Sequence, residues 1–502
     1  MKTTMICSLA FLLIVPGILS GGSNVADDNL VLLPIKNDPT ISFRIWIKVG
    51  SQNDPPGKEG LAEIVSSMLT NAATEKNSYE RILEKLYPLA ASYNATMNVE
   101  MTVIYGRTHR DNLKEFYPLL IDAILAPAFK QEDLDRIKSQ ALNYLENTLR
   151  YASDEELGKA VLYNELFSGT PYGHITSGTI EGVKSISLDD VKGFYRKFYT
   201  RENVVIGLGG GFEKALVNEL KRDLGKLAAG KVELVPKSVP RTGNGFTITL
   251  VEKDAQSTAI SMGFPIKVLR GSKDWYALAI ANSWLGEHRN SSSHLYQVIR
   301  EERGLNYGDY SYIEHYPRGG QLQLPPQNVA RRQQIFEIWI RPVPNETRHF
   351  ALRAALREYQ ELVEKGMSKG DFELTKGFLK KYVLNYAQNT MERLGYALDD
   401  RFYGIKGSHL ELFRSMMAKL TLEDVNKAIK KHWQYGSMQI AIVTKDAQSF
   451  RDALLSDARS PINYATAKSD HVMKEDKEII NFPIPVKPEN IRIVPVTDLL
   501  VK

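Results

Sequence analysis

The chain has almost no cysteine. Its 502 residues contain one, Cys7, and it lies inside an apolar N-terminal run. Beyond that run there is no thiol, so disulfides, cysteine–zinc sites and a cysteine nucleophile are excluded from the mature protein. Charge of one sign is also lacking. Sixty-four basic and 59 acidic residues leave +5, which gives no sign of a nucleic-acid partner. Long apolar runs are missing too. The one candidate, Met5 to Leu19, is short for a membrane span. Lys2 precedes it and "GILSGGS" follows, so residues 1–22 read as a secretory signal peptide cut near Gly22. An uncleaved anchor is the alternative. The expected destination is secretion or a bacterial periplasm. On a eukaryotic secretory route the sequons at Asn94, Asn290 and Asn345 would matter.

What is present is the composition of a soluble globular protein, 43% hydrophobic and 25% charged. The length calls for two or more domains. Two segments repeat each other at an offset of 234 residues: "ISLDDVKGFYRKFYTRENVVIGLGGGFEKALVNELKRDL" from 186 and "LTLEDVNKAIKKHWQYGSMQIAIVTKDAQSFRDALLSD" from 420. Each opens on a Ser or Thr cap with an acidic pair behind it, then an amphipathic helix, a strand, a turn and a second helix. The stretches 119–145 and 355–384 form a second matching pair, and the strands 40–50 and 257–268 occupy equivalent places. The chain is therefore expected to hold two copies of one α+β unit, residues 25–230 and 245–458. A Pro- and Gly-rich linker, 231–244, joins them, and a C-terminal tail, 459–502, reads as extended.

"GLAEIVSSML", residues 60–69, reads as the opening of a helix. With the order of elements around it, it resembles the M16 family of zinc metallopeptidases over nearly all of the mature chain. That resemblance implies two homologous α/β-sandwich domains of the LuxS/MPP-like type, facing each other as a clamshell around a peptide. The family frames its zinc helix as Gly-Leu-Ala-His-x-x-Glu-His-Met. Here Gly60, Leu61, Ala62 and Met68 keep the frame, but Glu63 and Ser67 stand at the two His positions and Ser66 at the general base. A further Glu ligand belongs downstream, where this chain has Leu142, Asn143 and Tyr144, with Glu146 one turn off. Catalytic zinc needs three protein ligands and an open position for water, and a base to take the proton from that water. Glu63 alone is one ligand, so no metal is expected in this chain.

The second half holds "LYQVIREERGLNYGDYSY", residues 295–312. Family members often carry an Arg and a Tyr here that help hold the substrate, and Arg300 and Tyr307 match the spacing. The plain alternative is a helix end with an aromatic ring packed on it. Arg offers a rigid fan of donors, and a Tyr hydroxyl can bond a developing oxyanion. "YNATMNVEMTVIYG", 93–106, alternates polar and apolar residues and reads as one strand, which in the family is an edge that pairs with substrate; an ordinary half-buried strand is the alternative. His288 and His294, with Glu287 beside them, read as a polar loop rather than a metal site, and His174 as structural. "GLGGGF", 207–212, lacks the residues of a phosphate loop and reads as a strand end whose glycines permit a tight turn.

Some M16 members divide the work between two subunits, one bringing zinc and the other the Arg/Tyr pair. By that resemblance this chain is expected to be the non-catalytic half of a heterodimer, with zinc and the base in a partner of similar fold. Three other readings stand beside it. The first is a stand-alone peptide-binding protein, the second a scaffold subunit of an envelope assembly. The third is an autonomous peptidase with a rebuilt site.

Overall fold

A computed structural model describes residues 24–231, 233, 235, 240 and 245–502. The signal-peptide reading of 1–22 and most of the linker reading of 231–244 lie outside the described residues.

Eleven strands form two sheets: β1 (Leu30–Pro34), β2 (Thr40–Ile47), β3 (Ser92–Met97), β4 (Thr102–His109), β5 (Val204–Gly210), β6 (Gly245–Glu252), β7 (Ser257–Ile266), β8 (Asp309–Tyr312), β9 (Gln334–Pro344), β10 (Ser437–Thr444) and β11 (Ile491–Pro495). The first sheet runs β1-β5-β2-β4-β3 and the second β11-β6-β10-β7-β9-β8. Apart from β11 the two orders are the same, and so are the directions. β1 and β6 are parallel to β5 and β10, β11 is parallel to β6, and the remaining neighbouring pairs are antiparallel. The duplication is thus one of fold as well as of sequence. The helix after β2, Leu61–Thr70, has its counterpart after β7 in Lys273–Gly286, and Gln131–Asn143 has its counterpart in Lys369–Tyr382. Ser187 and Thr421 each cap their helix through a box closed by Asp190 and Asp424, which satisfies the orphan N–H groups of the first turn.

The two halves exchange a helix. Asp154–Leu166 of the first half packs on β7, β9 and β10, and Thr390–Tyr403 of the second packs on β1, β2 and β5. This explains why β2, "TISFRIWI", is buried at every residue but its first. Helix Leu61–Thr70 and its neighbours cover one face, and the exchanged helix covers the other through Leu398, packed with Trp46, Val103 and Val205. It also explains the glycines of "GLGGGF". A Cβ on Gly209 would stand 2.9 Å from the Thr390 methyl, and one on Gly207 would stand 2.8 Å from the Arg44 carbonyl. Gly209 thus admits the exchanged helix to the sheet, Gly207 lets β2 and Leu398 approach, and the turn falls to Gly210 at φ 100°.

Two expectations are corrected. Residues 93–106 form a hairpin, β3 and β4, turning through 98–101 with Asn98 N–H bonded to the Met101 carbonyl at 2.7 Å. The tail is not wholly extended: Asp470–Ile479 is a helix capped by Ser469. After it β11 adds a strand to β6, and the Ile180 N–H reaches the Leu500 carbonyl at 2.8 Å. The tail therefore grips both halves.

Candidate functional site

The former zinc face is well built as a helix and poor in donors. Gly60 opens it at φ 104°, a left-handed value that favours glycine. The Asp54 carboxylate accepts from the Gly60 and Ala62 N–H groups at 2.8 and 2.7 Å, so the N-terminus is capped from outside the helix. Ser66 is buried, and its hydroxyl donates to the Glu63 carbonyl at 2.9 Å. Its polarity is thus spent on its own helix. Ser67 is half-buried on the next position. Asn143 is exposed, and its amide oxygen accepts from Asn147 at 2.8 Å. Glu146 turns to Lys184, 3.6 Å away. Glu63 itself is half-buried, and desolvation pushes its carboxyl up to about 7 against the pull of Arg318. One carboxyl, two hydroxyls and a distant amide do not make a tetrahedral zinc site. Among the described residues no group of three or more His, Cys, Asp or Glu stands close enough to hold a metal ion.

Arg318 comes from the second half. It sits on residues 313–333, which join β8 to β9 where the first half needs only 98–101. This loop fills space between the halves. Arg332 pairs with Glu100 at 2.6 Å, and the Arg331 guanidinium lies over the rings of Tyr163, Phe167 and Tyr172. At its centre Asn328, buried and at φ 62°, takes a bond from Arg44 and donates to the Gly395 carbonyl at 3.0 Å. Its backbone N–H meets the Asp399 carboxylate at 3.1 Å. Asp399 pairs in turn with Arg270 at 3.5 Å, and burial pushes its carboxyl up to about 6. Arg44 of β2, Asn328 of the loop and Asp399 of the exchanged helix thus form one buried chain across the halves. Asn328→Ala takes the acceptor from the buried Arg44 guanidinium and the amide donor from the Gly395 carbonyl and Asp399, which keeps the backbone N–H and Arg270, and is expected to cost about 2–3 kcal/mol, read as a lower midpoint in urea.

The other singled-out residues lie apart. Arg300 ends a π-helical turn, Tyr296–Glu301, with Glu301 3.8 Å away. Tyr307 follows it and is 77% exposed. Among the described residues no hydrogen bond, ion pair or ring contact joins the two to each other or to the first half. His288 and His294 take different partners. His288 is buried between the Tyr312 hydroxyl and the Leu322 carbonyl, both at 2.8 Å. His294 stacks on Trp284 and meets Glu358 at 2.6 Å. His174 bonds the Ile175 carbonyl at 2.9 Å. Sequence reading missed the 313–333 loop, although the unequal spacing between the strands of the two repeats was a signal for it.

A duplicated α+β clamshell whose zinc helix carries Glu63, Ser66 and Ser67 defines a class: a peptidase-like protein lacking the His-x-x-Glu-His motif. The chain belongs to the M16 peptidase family. "Insulinase (Peptidase family M16)" matches residues 30–180 and "Peptidase M16 inactive domain" matches 185–379. It is similar to the "Non-peptidase homolog YmxG" of Helicobacter pylori, 24% identical over 77% of this chain and 84% of that protein. It is equally similar to the "Uncharacterized zinc protease YmxG" of Bacillus subtilis, 24% identical over 59% and 71%. Among solved structures, a peptidase M16 inactive domain from Pseudomonas fluorescens shares the fold at a TM-score of 0.73 and 22% identity, over 83% of this chain and 95% of that one. A protease from Helicobacter pylori does so at 0.69 and 17%, over 83% and 96%.

Proposed function

We propose that the chain is the non-catalytic subunit of a heterodimeric M16-type peptidase, working in the periplasm or outside the cell. A partner of similar fold supplies zinc and the general base, and this chain supplies Arg300 and Tyr307 to the substrate. The observation that carries the reading is the contrast between two faces. The chain's own former zinc face lacks donors and faces Arg318 of the 313–333 loop, while Tyr307 stands 77% exposed. A hydroxyl placed outward serves a site that another chain completes. The name of the Helicobacter relative, a non-peptidase homologue, points the same way. The test is affinity purification of the mature chain from its own organism, with zinc and peptidase activity measured in the eluate. The expected result is a co-purifying zinc chain of similar size, with activity in the pair and none in this subunit. A lone, inactive chain would overturn the reading.

A second reading, stand-alone peptide binding, is favoured by the free edge of the first sheet. Among the described residues β3 has a partner strand on one side only. Beside it lies a groove of about 270 Å³ lined by Tyr79, Leu83, Tyr87 and Tyr93. An extended peptide can add to such an edge through backbone bonds. Peptide retention by the lone chain, without a zinc partner, would favour it.

A further inference from the structure

The second half holds a cavity of about 80 Å³ between helices Lys273–Gly286 and Lys369–Tyr382, β8 and the 313–333 loop. These helices are the repeat counterparts of Leu61–Thr70 and Gln131–Asn143, so the cavity lies where the first half would carry its zinc face. Six of its lining residues matter here: Trp275, Asn282, Glu287, His315, Tyr316 and Tyr386.

Glu287 is the unexplained one. It is 8% exposed. The nearby Ser283 hydroxyl draws its carboxyl down only in part, and among the described residues no Lys, Arg or His forms an ion pair with it. The cation that also lines the cavity, Arg270, is taken by Glu314 at 2.8 Å and Asp399 at 3.5 Å. With no counter-charge beside it, burial pushes the Glu287 carboxyl up to about 7. Around it stand aromatic groups. The Tyr316 and Tyr386 hydroxyls are pushed up by burial and then by the Glu287 charge. Four polar atoms of the lining are buried without a partner: Asn282 Oδ1, His315 Nδ1, the Tyr316 hydroxyl and Trp275 Nε1. Orphaned polar atoms of this kind call for a ligand or ordered water. The first three can accept a hydrogen bond, and the indole N–H can only donate one. His315 can because burial lowers its imidazole well below its ordinary range and keeps it neutral.

We propose that this cavity binds an alkylammonium group, with Glu287 as its counter-ion, Asn282, His315 and Tyr316 as acceptors, and the Trp275 and Tyr386 rings as walls. A primary ammonium has three N–H donors and no acceptor. It matches a site with one unpaired carboxyl and spare acceptors, and aromatic faces attract cations. The volume suits a short chain. A water needs roughly 10–15 Å³ by the same measure and benzene fits an engineered cavity of roughly 150 Å³, so an ethylammonium-sized group fits. The group has two sources, a free small amine or the side chain of a peptide lysine. The proposal does not depend on the divided-subunit reading.

The test is calorimetric titration of the full mature chain with ethylammonium chloride, and in parallel with an end-blocked peptide containing one lysine. Sodium chloride at equal ionic strength is the control. Binding of ethylammonium, weakened at least tenfold in Glu287→Gln, is the expected result and identifies a free amine. Binding of the peptide alone, lost in the same variant, identifies the lysine side chain. Tyr316→Phe, which keeps the ring and removes one acceptor, is expected to weaken either ligand severalfold. Heat no different from sodium chloride in both titrations, or binding unchanged in Glu287→Gln, would overturn the proposal and leave a water-filled cavity.

Discussion

Arg303→Met is expected to loosen the C-terminal tail from the second half, at a cost of about 3–5 kcal/mol. The Arg303 side chain is fully buried, between Asp476 at 2.9 Å, Glu475 at 3.1 Å and Glu302 at 3.1 Å, and it also bonds the Val298 carbonyl at 2.8 Å. Asp476 is itself buried on the tail helix Asp470–Ile479. Among the described residues, removing the guanidinium leaves that carboxylate with the Tyr464 hydroxyl alone, at 2.8 Å. A buried charge that loses its partner costs more than the pair contributed, because desolvation is no longer offset. The loss will show as faster hydrogen exchange over 470–479 and earlier proteolytic cleavage in the tail. The double variant Arg303→Met with Asp476→Leu removes both charges and is expected to recover most of the loss. A change of under about 1 kcal/mol, the worth of a solvent-exposed pair, would show that Arg303 does not hold the tail.

Arg303 also shows where sequence reading stops. "REERGLNY" offers two arginines, and spacing selects Arg300. The tail carboxylates that hold Arg303, Asp476 and Glu475, lie over 170 positions away, and nothing local announces them. The duplication was legible because its signals are local. Ser187 with Asp190 and Thr421 with Asp424 mark helix starts wherever they occur. The missing zinc donors were legible for the same reason, since identity at three helix positions is enough. The exchanged helices were not. Periodicity shows that "DEELGKAVLYNEL" has apolar positions, but not that the sheet covering them is the other repeat's. The hairpin at 98–101 was missed because "NVEM" has neither glycine nor proline, so the alternation seemed unbroken. In the tail, Pro483, Pro485 and Pro488 suggested extended structure, and that reading was carried too far back, over a helix that ends before them.

In the heterodimer proposed above, Tyr307→Phe is expected to lower kcat by about 10²–10³-fold with little change in KM, the loss that follows removal of one oxyanion donor. The substitution keeps the ring and deletes one O–H. Tyr307 is 77% exposed, and no partner holds its hydroxyl among the described residues, so the fold loses nothing with it. A hydrogen bond made only in the transition state changes kcat and kcat/KM together. Arg300→Ala is expected to act differently. Its guanidinium is half-exposed beside Glu301, and a planar fan of donors bonds a peptide carbonyl or carboxylate in the ground state too. Its loss should therefore raise KM as well as lower kcat. Both variants should assemble with the zinc subunit as the parent does, which gel filtration will check. Full activity in both would remove the pair from the reaction. Lost assembly in Tyr307→Phe would make the residue part of the interface, with no substrate role.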